Sequence, residues 1–207
     1  MGQGDGLSKT LFVVPCTRKK AKSVENVEFG PRITESLPTD LAKRLNCARR
    51  ANRGPARLNE QILVPAWKRY QGRFYRAASA ALERVEKKGL HLLILSGGYG
   101  VVLAGEPIGF YDAPLMLCRW PGRVLEEVLA GYFRHHRLKC MRAFIPVDCG
   151  YKPYRELVEG VDWRAAGVDN AVLFTPDDGN QSGEVFSAII LGSEGQRGQF
   201  WCARVLQ

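Results

Sequence analysis

Leu90-His91-Leu92-Leu93-Ile94-Leu95 runs without a break into Ser96-Gly97-Gly98-Tyr99-Gly100. An apolar run this short, with no alternation of polar residues, suits a strand covered on both faces, as in a parallel sheet. Gly89 just before it ends a helical pattern, as glycine does one position past a helix C-terminus. Three more runs have the same character: Leu11–Pro15 (LFVVP), Ala143–Val147 (AFIPV) and Ala171–Thr175 (AVLFT). Helical patterns fill the spaces between them. Strands alternating with helices indicate an α/β fold: a mainly parallel sheet flanked by helices. No Pro- or Gly-rich linker separates two cores, so residues 1–207 read as a single domain, with a flexible start over 1–10 and a tail over 184–207 that is strand or helix.

The helices read as follows. Thr39–Asn52 is capped by Thr39 or Asp40, with Leu41, Leu45 and Ala48 on one face. Ala66–Lys88 is one long helix, with Trp67, Tyr70, Phe74, Ala77, Ala81 and Val85 as its core stripe. Trp120–Arg137 has Pro121 in its first turn, and a further helix covers about Tyr154–Ala166. Ala21–Pro38, Val101–Leu117 and Pro176–Gly183 read as loops. His91, alone on an apolar run, reads as a core histidine, and His135-His136 as a solvated pair.

The chain has 207 residues, 45% hydrophobic and 25% charged, which excludes a disordered or fibrous protein. A fold of this length buries about 70% of its unfolded surface and needs no disulfide staples. Its 30 basic and 21 acidic residues give a net charge of +9. An excess of that size points to a polyanionic partner, nucleic acid above all. Lys43, Arg44, Arg49, Arg50 and Arg53 share one helical stretch, and no acid lies between Lys43 and Arg57. No stretch approaches the roughly 20 apolar residues of a membrane span. MGQGDGLSKT lacks the basic and apolar regions of a secretory signal, although Gly2 after Met1 matches a myristoylation acceptor. The six cysteines form no CxxC pair and have no histidine at zinc spacing, so they read as reduced cytoplasmic thiols, several of them buried, with no metal. The glycine loop is neither GxxxxGKS/T nor GxGxxG, so no nucleotide cofactor is expected.

Ligands of open parallel sheets bind beyond the carboxyl ends of the strands. Three loops fall there: Cys16-Thr17-Arg18-Lys19-Lys20, Ser96-Gly97-Gly98-Tyr99-Gly100 and Asp148-Cys149-Gly150-Tyr151-Lys152-Pro153-Tyr154. Gly-rich backbone suits a phosphate, the basic residues supply countercharge, and Tyr99, Tyr111, Tyr151 and Tyr154 offer faces for stacking a base.

These loops carry a resemblance. Leu95-Ser96-Gly97-Gly98-Tyr99-Gly100-Val101-Val102, followed by Ile108 and Phe110-Tyr111-Asp112, resembles the LSAKYGLL…I-x-PYD signature of the YaaA-like family. Cys16–Lys20 is similar to that family's CTKKK element. Cys149 with Lys152-Pro153-Tyr154 looks like part of the PC-x3-KPY motif of archaeosine synthase, at a spacing of two instead of three. The resemblance covers residues 11–155. It implies a uracil-DNA-glycosylase-like fold, binding to DNA, and chemistry on a nucleobase, with family members that only bind DNA as the alternative.

Cleaving an N-glycosidic bond needs a carboxylate beside an oxocarbenium-like sugar, a donor for the departing base, and a pocket for a flipped nucleotide. Asp112 is the first candidate carboxylate, with Asp148 and Glu106 in reserve. Lys152 and Arg18 are candidate donors. Cys16, Thr17, Arg18, Lys19, Ser96, Gly97, Gly98, Tyr99, Tyr111 and Tyr151 are expected to bind the substrate, and Lys20, Lys43, Arg49, Arg50 and Arg53 the DNA backbone. Cys16 beside Arg18 is also a candidate nucleophile. Three functions follow: a DNA glycosylase-like hydrolase acting on a modified base in defence or repair, a non-catalytic DNA-binding protein, or an enzyme of free nucleosides or nucleotides.

Overall fold

The computed structural model describes residues 4–25, 28–192 and 202–206. Its strands are β1 (Thr10–Pro15), β2 (Asn59–Pro65), β3 (His91–Ser96), β4 (Gly100–Leu103), β5 (Pro107–Phe110), β6 (Cys140–Phe144), β7 (Asn170–Phe174) and β8 (Ala203–Leu206). Its α-helices are α1 (Gly4–Ser8), α2 (Thr39–Asn52), α3 (Ala66–Arg69), α4 (Arg73–Ala77), α5 (Ser79–Lys88), α6 (Val124–His135), α7 (Lys152–Glu159) and α8 (Gly179–Leu191). Six strands form one sheet in the order β4-β3-β1-β6-β7-β8, and β2 pairs with β5 in a separate antiparallel ribbon. The four central strands are parallel, while β4 and β8 run antiparallel at the two edges. The expected α/β architecture is therefore present, with one continuous core.

Side chains alternate across a strand, so register assigns the faces. Phe12 and Val14 share a face with Ile94, Phe144 and Phe174. Phe12 and Phe144 both meet Phe186 of α8, which in turn meets Phe74 of α4. Leu11 and Val13 lie on the other face with His91, and His91 reaches Tyr132 of α6. Helices thus cover both faces, which is why the central strands read as unbroken apolar runs. β1 sits between β3 and β6, so the chain turns to opposite sides at its carboxyl end, the switch point where open sheets bind ligands.

Several boundaries differ from the sequence reading. Residues 66–88 are three helices, because Tyr70 is extended and Gly72 follows it. Residues 59–65 are a strand, and the loop expected at 101–117 contains β4 and β5. α2 has the expected bounds but is preceded by Pro38, with no side-chain cap. α6 begins only at Val124, after two short 3-10 turns. α7 ends at Glu159, and the ambiguous stretch 185–191 is helical. Gly4–Ser8 is helical within the stretch read as flexible. The end of the tail is a strand over 203–206; residues 193–201 and Gly2 lie outside the described residues. All six cysteines are unpaired, but only Cys16 is buried, against the expectation of several. Among the described residues no helix is long and apolar enough to cross a membrane.

His91 is half-buried, and its Nδ1 lies 2.9 Å from the Tyr132 hydroxyl. His136 packs at a tilt against both rings, so it is not the solvated residue expected. Burial, aided by His136 and Lys9, holds the His91 ring at a pKa of about 4. That lies below its unfolded value near 6.5. The unfolded chain therefore binds more protons between the two values, and stability falls as pH drops through that window. Discounted for partial exposure, the loss is about 1–2 kcal/mol. In urea denaturation at pH 6.5 and pH 4 we expect His91→Gln to be less pH-sensitive than wild type by about that amount.

Candidate functional site

The site starts where β1 ends. Cys16 N donates to Leu95 O at 2.8 Å, which locks the first residue of the loop against β3. Thr17 Oγ1 donates to Lys19 O at 3.0 Å and accepts from Gly72 N at 3.1 Å. A Cβ on Gly72 would lie 2.4 Å from Thr17 Cγ2, so this contact requires glycine. Gln71 N donates to Lys19 O at 2.9 Å and Ala21 N to Arg69 O at 2.8 Å. Lys20 and Tyr70 thereby pair as an isolated antiparallel bridge. The bridge interrupts the helical stretch and sets Lys20 Nζ over the Tyr111 ring, 4.2 Å from its centroid.

The second wall is the segment Tyr111–Pro114, which crosses the Ser96–Gly100 loop. A Cβ on Gly97 would stand 2.2 Å from Ala113 O, and one on Gly98 2.6 Å from Tyr111 Cγ. These two glycines exist for close packing. They admit the segment that carries Asp112, whose N donates to Ala56 O at 3.2 Å. The third wall follows β6. Asp148 Oδ1 accepts from Gly150 N at 2.7 Å and caps the turn Cys149–Tyr151. Arg155 braces this loop from behind through Pro146 O and Asp148 O. Tyr154, in the first turn of α7, brings its hydroxyl within 3.2 Å of Cys16 Sγ.

The three segments enclose one hollow of ≈ 810 Å³, lined by Cys16, Thr17, Arg18, Lys20, Asp112, Ala113, Pro114, Asp148, Gly150, Tyr151 and Tyr154. Beneath it lies a closed polar layer. The Tyr70 and Tyr111 hydroxyls are 2.8 Å apart, and Ser96 Oγ lies 3.0 Å from the second and 3.2 Å from the first. Burial pushes both phenols well up, so they remain protonated. Burial also lowers the Lys20 ammonium from its ordinary value, with Cys16 and Asp112 acting in the opposite direction.

Of the expected site residues, Cys16, Thr17, Arg18, Asp112, Asp148 and Tyr151 meet in this hollow, and Tyr111 forms its floor. Lys20, assigned by sequence to the DNA backbone, lies inside it. The others lie elsewhere. Ser96, Gly97 and Gly98 are buried packing residues rather than a phosphate cradle. Tyr99 is 3% exposed, donates to Glu60 Oε1 and accepts from Gly109 N, so it does not wall the hollow. Lys152 projects outward and pairs with Glu156 at 3.6 Å, and Lys19 faces solvent. Glu106 is buried and bonds Ile33 N, Leu103 N and Arg49, which removes it as a reserve carboxylate. Arg49 borders the groove of Arg50 and Arg53, but its guanidinium is turned inward. It is 8% exposed and donates to Tyr99 O, Val101 O and Glu106.

Arg50 and Arg53, with Arg32 and Asn46, line a separate groove of ≈ 430 Å³ against Tyr99, and Arg53 pairs with Glu60 there. Lys43 faces solvent outside both hollows. Sequence reasoning missed Ala113 and Pro114 as lining residues. It also missed that Tyr70 leaves the helix. Gly72 inside an otherwise helical pattern was the available signal. No protein-family model matches the chain, and no curated protein matches it.

Two outcomes follow from this packing. Gly97→Ala should cost about 1–3 kcal/mol, because the new Cβ meets backbone rather than a movable side chain. Arg49→Met should cost about 3–5 kcal/mol by leaving Glu106 buried without its charge partner, whereas exposed Arg50→Met should change stability by less than about 0.5 kcal/mol. Urea denaturation of the three variants checks all of these.

Proposed function

We propose that this protein is a DNA glycosylase-like hydrolase that removes a modified nucleobase, in defence or repair, from the cytoplasm. The observation that supports this most is the meeting of Asp112, Asp148, Arg18 and Tyr151 in one hollow at the switch point of the sheet. The YaaA-like signatures support a glycosylase-like assignment of the fold. The hollow falls within the range of small-molecule pockets, about 300–1,000 Å³. A nucleotide turned out of the stack would enter it base first.

Each lining group then has a task. Tyr151 is half-buried and offers a ring face to the base. Asp112 is exposed at the rim, where the sugar of an extruded nucleotide stays. Its carboxylate stabilises the positive charge that develops at C1′ as the base leaves, and positions water for attack. Asp148, held by Gly150 N, is the second carboxylate. Arg18 is exposed beside them and takes the phosphate of the same nucleotide. The groove formed by Arg32, Arg50 and Arg53 receives neighbouring phosphates, so affinity falls steeply with salt. That groove also suits a protein that only binds DNA, which is the second reading.

The test is an abasic-site assay on plain and hypermodified DNA, single- and double-stranded. Wild type should generate abasic sites in at least one modified substrate. Asp112→Asn should reduce the rate by about 10²–10³-fold while melting at the wild-type temperature. DNA bound but chemically unchanged across the whole panel overturns the hydrolase and leaves the binding protein.

A further inference from the structure

The hydrolase reading leaves Lys20 without a task, yet its side chain is partly buried against the aromatic floor of the hollow. A surface lysine is hydrated and mobile. The Lys20 side chain instead lies across Tyr111, with Nζ 4.2 Å from that ring centroid and 6.0 Å from that of Tyr70. Its polar contact is Arg18 O at 3.4 Å. Among the described residues it forms no ion pair with a carboxylate. Asp112 acts on it only at longer range, across the same hollow. Burial lowers the ammonium and so raises the share of free amine at neutral pH. An amine held this way, with a carboxylate across the same hollow, is equipped to attack a carbonyl carbon.

We propose that Lys20 Nζ is a nucleophile toward the C1′ aldehyde of a ring-opened abasic deoxyribose, which makes the protein an abasic-site lyase. This rests on the reading that the hollow receives a nucleotide of DNA. The amine lone pair adds to C1′, and water leaves to give an imine. The iminium acidifies C2′, whose proton passes to the Asp112 carboxylate. The electron pair forms the C2′–C3′ double bond and expels the 3′ phosphate. A water molecule then hydrolyses the imine and returns the amine to Lys20. The Tyr111 ring holds the cationic forms in place throughout.

The test uses the full chain and duplex DNA carrying one preformed abasic site, with borohydride to reduce any imine to a stable secondary amine. Digestion and mass spectrometry locate the adduct. The expected result is an adduct on Lys20, with strand cleavage 3′ to the site when borohydride is omitted. Lys20→Arg keeps the charge and the ring contact but cannot form the imine. It should bring adduct and cleavage down to the level of DNA without protein, at an unchanged melting temperature. No adduct, or an adduct confined to other amines and retained in Lys20→Arg, overturns the proposal. Because this substrate has already lost its base, the result is independent of base removal. Trapping without base release from any substrate defeats the hydrolase alone, and base release without trapping defeats the lyase alone.

Discussion

A buried guanidinium bonded to carbonyls, not to a carboxylate, holds the site in its shape. Arg69 is fully buried, and its terminal nitrogens donate to Ala21 O at 2.6 Å, Lys22 O at 3.0 Å, Ile62 O at 2.7 Å and Ile108 O at 3.1 Å. Those carbonyls belong to the loop after β1 and to both strands of the β2–β5 ribbon. Charge-assisted bonds of about 1.5–3 kcal/mol each offset the desolvation of the cation. Burial still lowers its pKa from the ordinary value. With the guanidinium fixed, the backbone on either side is fixed too. Ala21 bonds Arg69, Gln71 bonds Lys19, and Lys20 between them extends over the Tyr111 ring.

That constraint explains what could and could not be read from the chain. The parallel strands were readable because burial on both faces leaves an unbroken apolar run, as at Leu92–Leu95. α2 was readable because fourteen residues of helical pattern end where Gly54 and Pro55 stand. The split of residues 66–88 was hidden, since Trp67, Tyr70 and Phe74 keep helical spacing while the contact that breaks the helix comes from Thr17–Ala21, some fifty residues earlier. β4 and β5 were hidden for another reason. Four-residue strands containing Gly100, Pro107 and Gly109 look like punctuation.

The candidate site was readable as a set of loops but not as a set of side chains. The loops after β1 and β6 meet as expected and bring Cys16, Asp148 and Tyr151 together, whereas Asp112 arrives on the segment after β5 and the Ser96–Gly100 loop does not line the hollow. What failed was the inference from residue type to exposure. Glycine beside a strand end suits a phosphate, but it equally suits a second backbone, and Gly97 and Gly98 serve the second use. Arginine on a helix suits DNA, but Arg49 faces Glu106 across the packed interior. Burial depends on what lies opposite, and that information sits in distant parts of the chain.

Neutral and charged groups are unevenly spread through the hollow. Its floor is neutral and already paired: Ser96 with Tyr70 and Tyr111, and Cys16 with Tyr154. These groups hold one another in place, so the floor is stiff and has little hydrogen-bonding capacity left for a ligand. The rim is the opposite. Arg18, Asp112 and Asp148 are exposed and carry both signs of charge. A ligand matching that gradient has a flat, uncharged part that goes in and an ionised part that stays out, the division a nucleotide makes between base and phosphate. Lys20 sits where floor meets rim, partly buried over the Tyr111 ring.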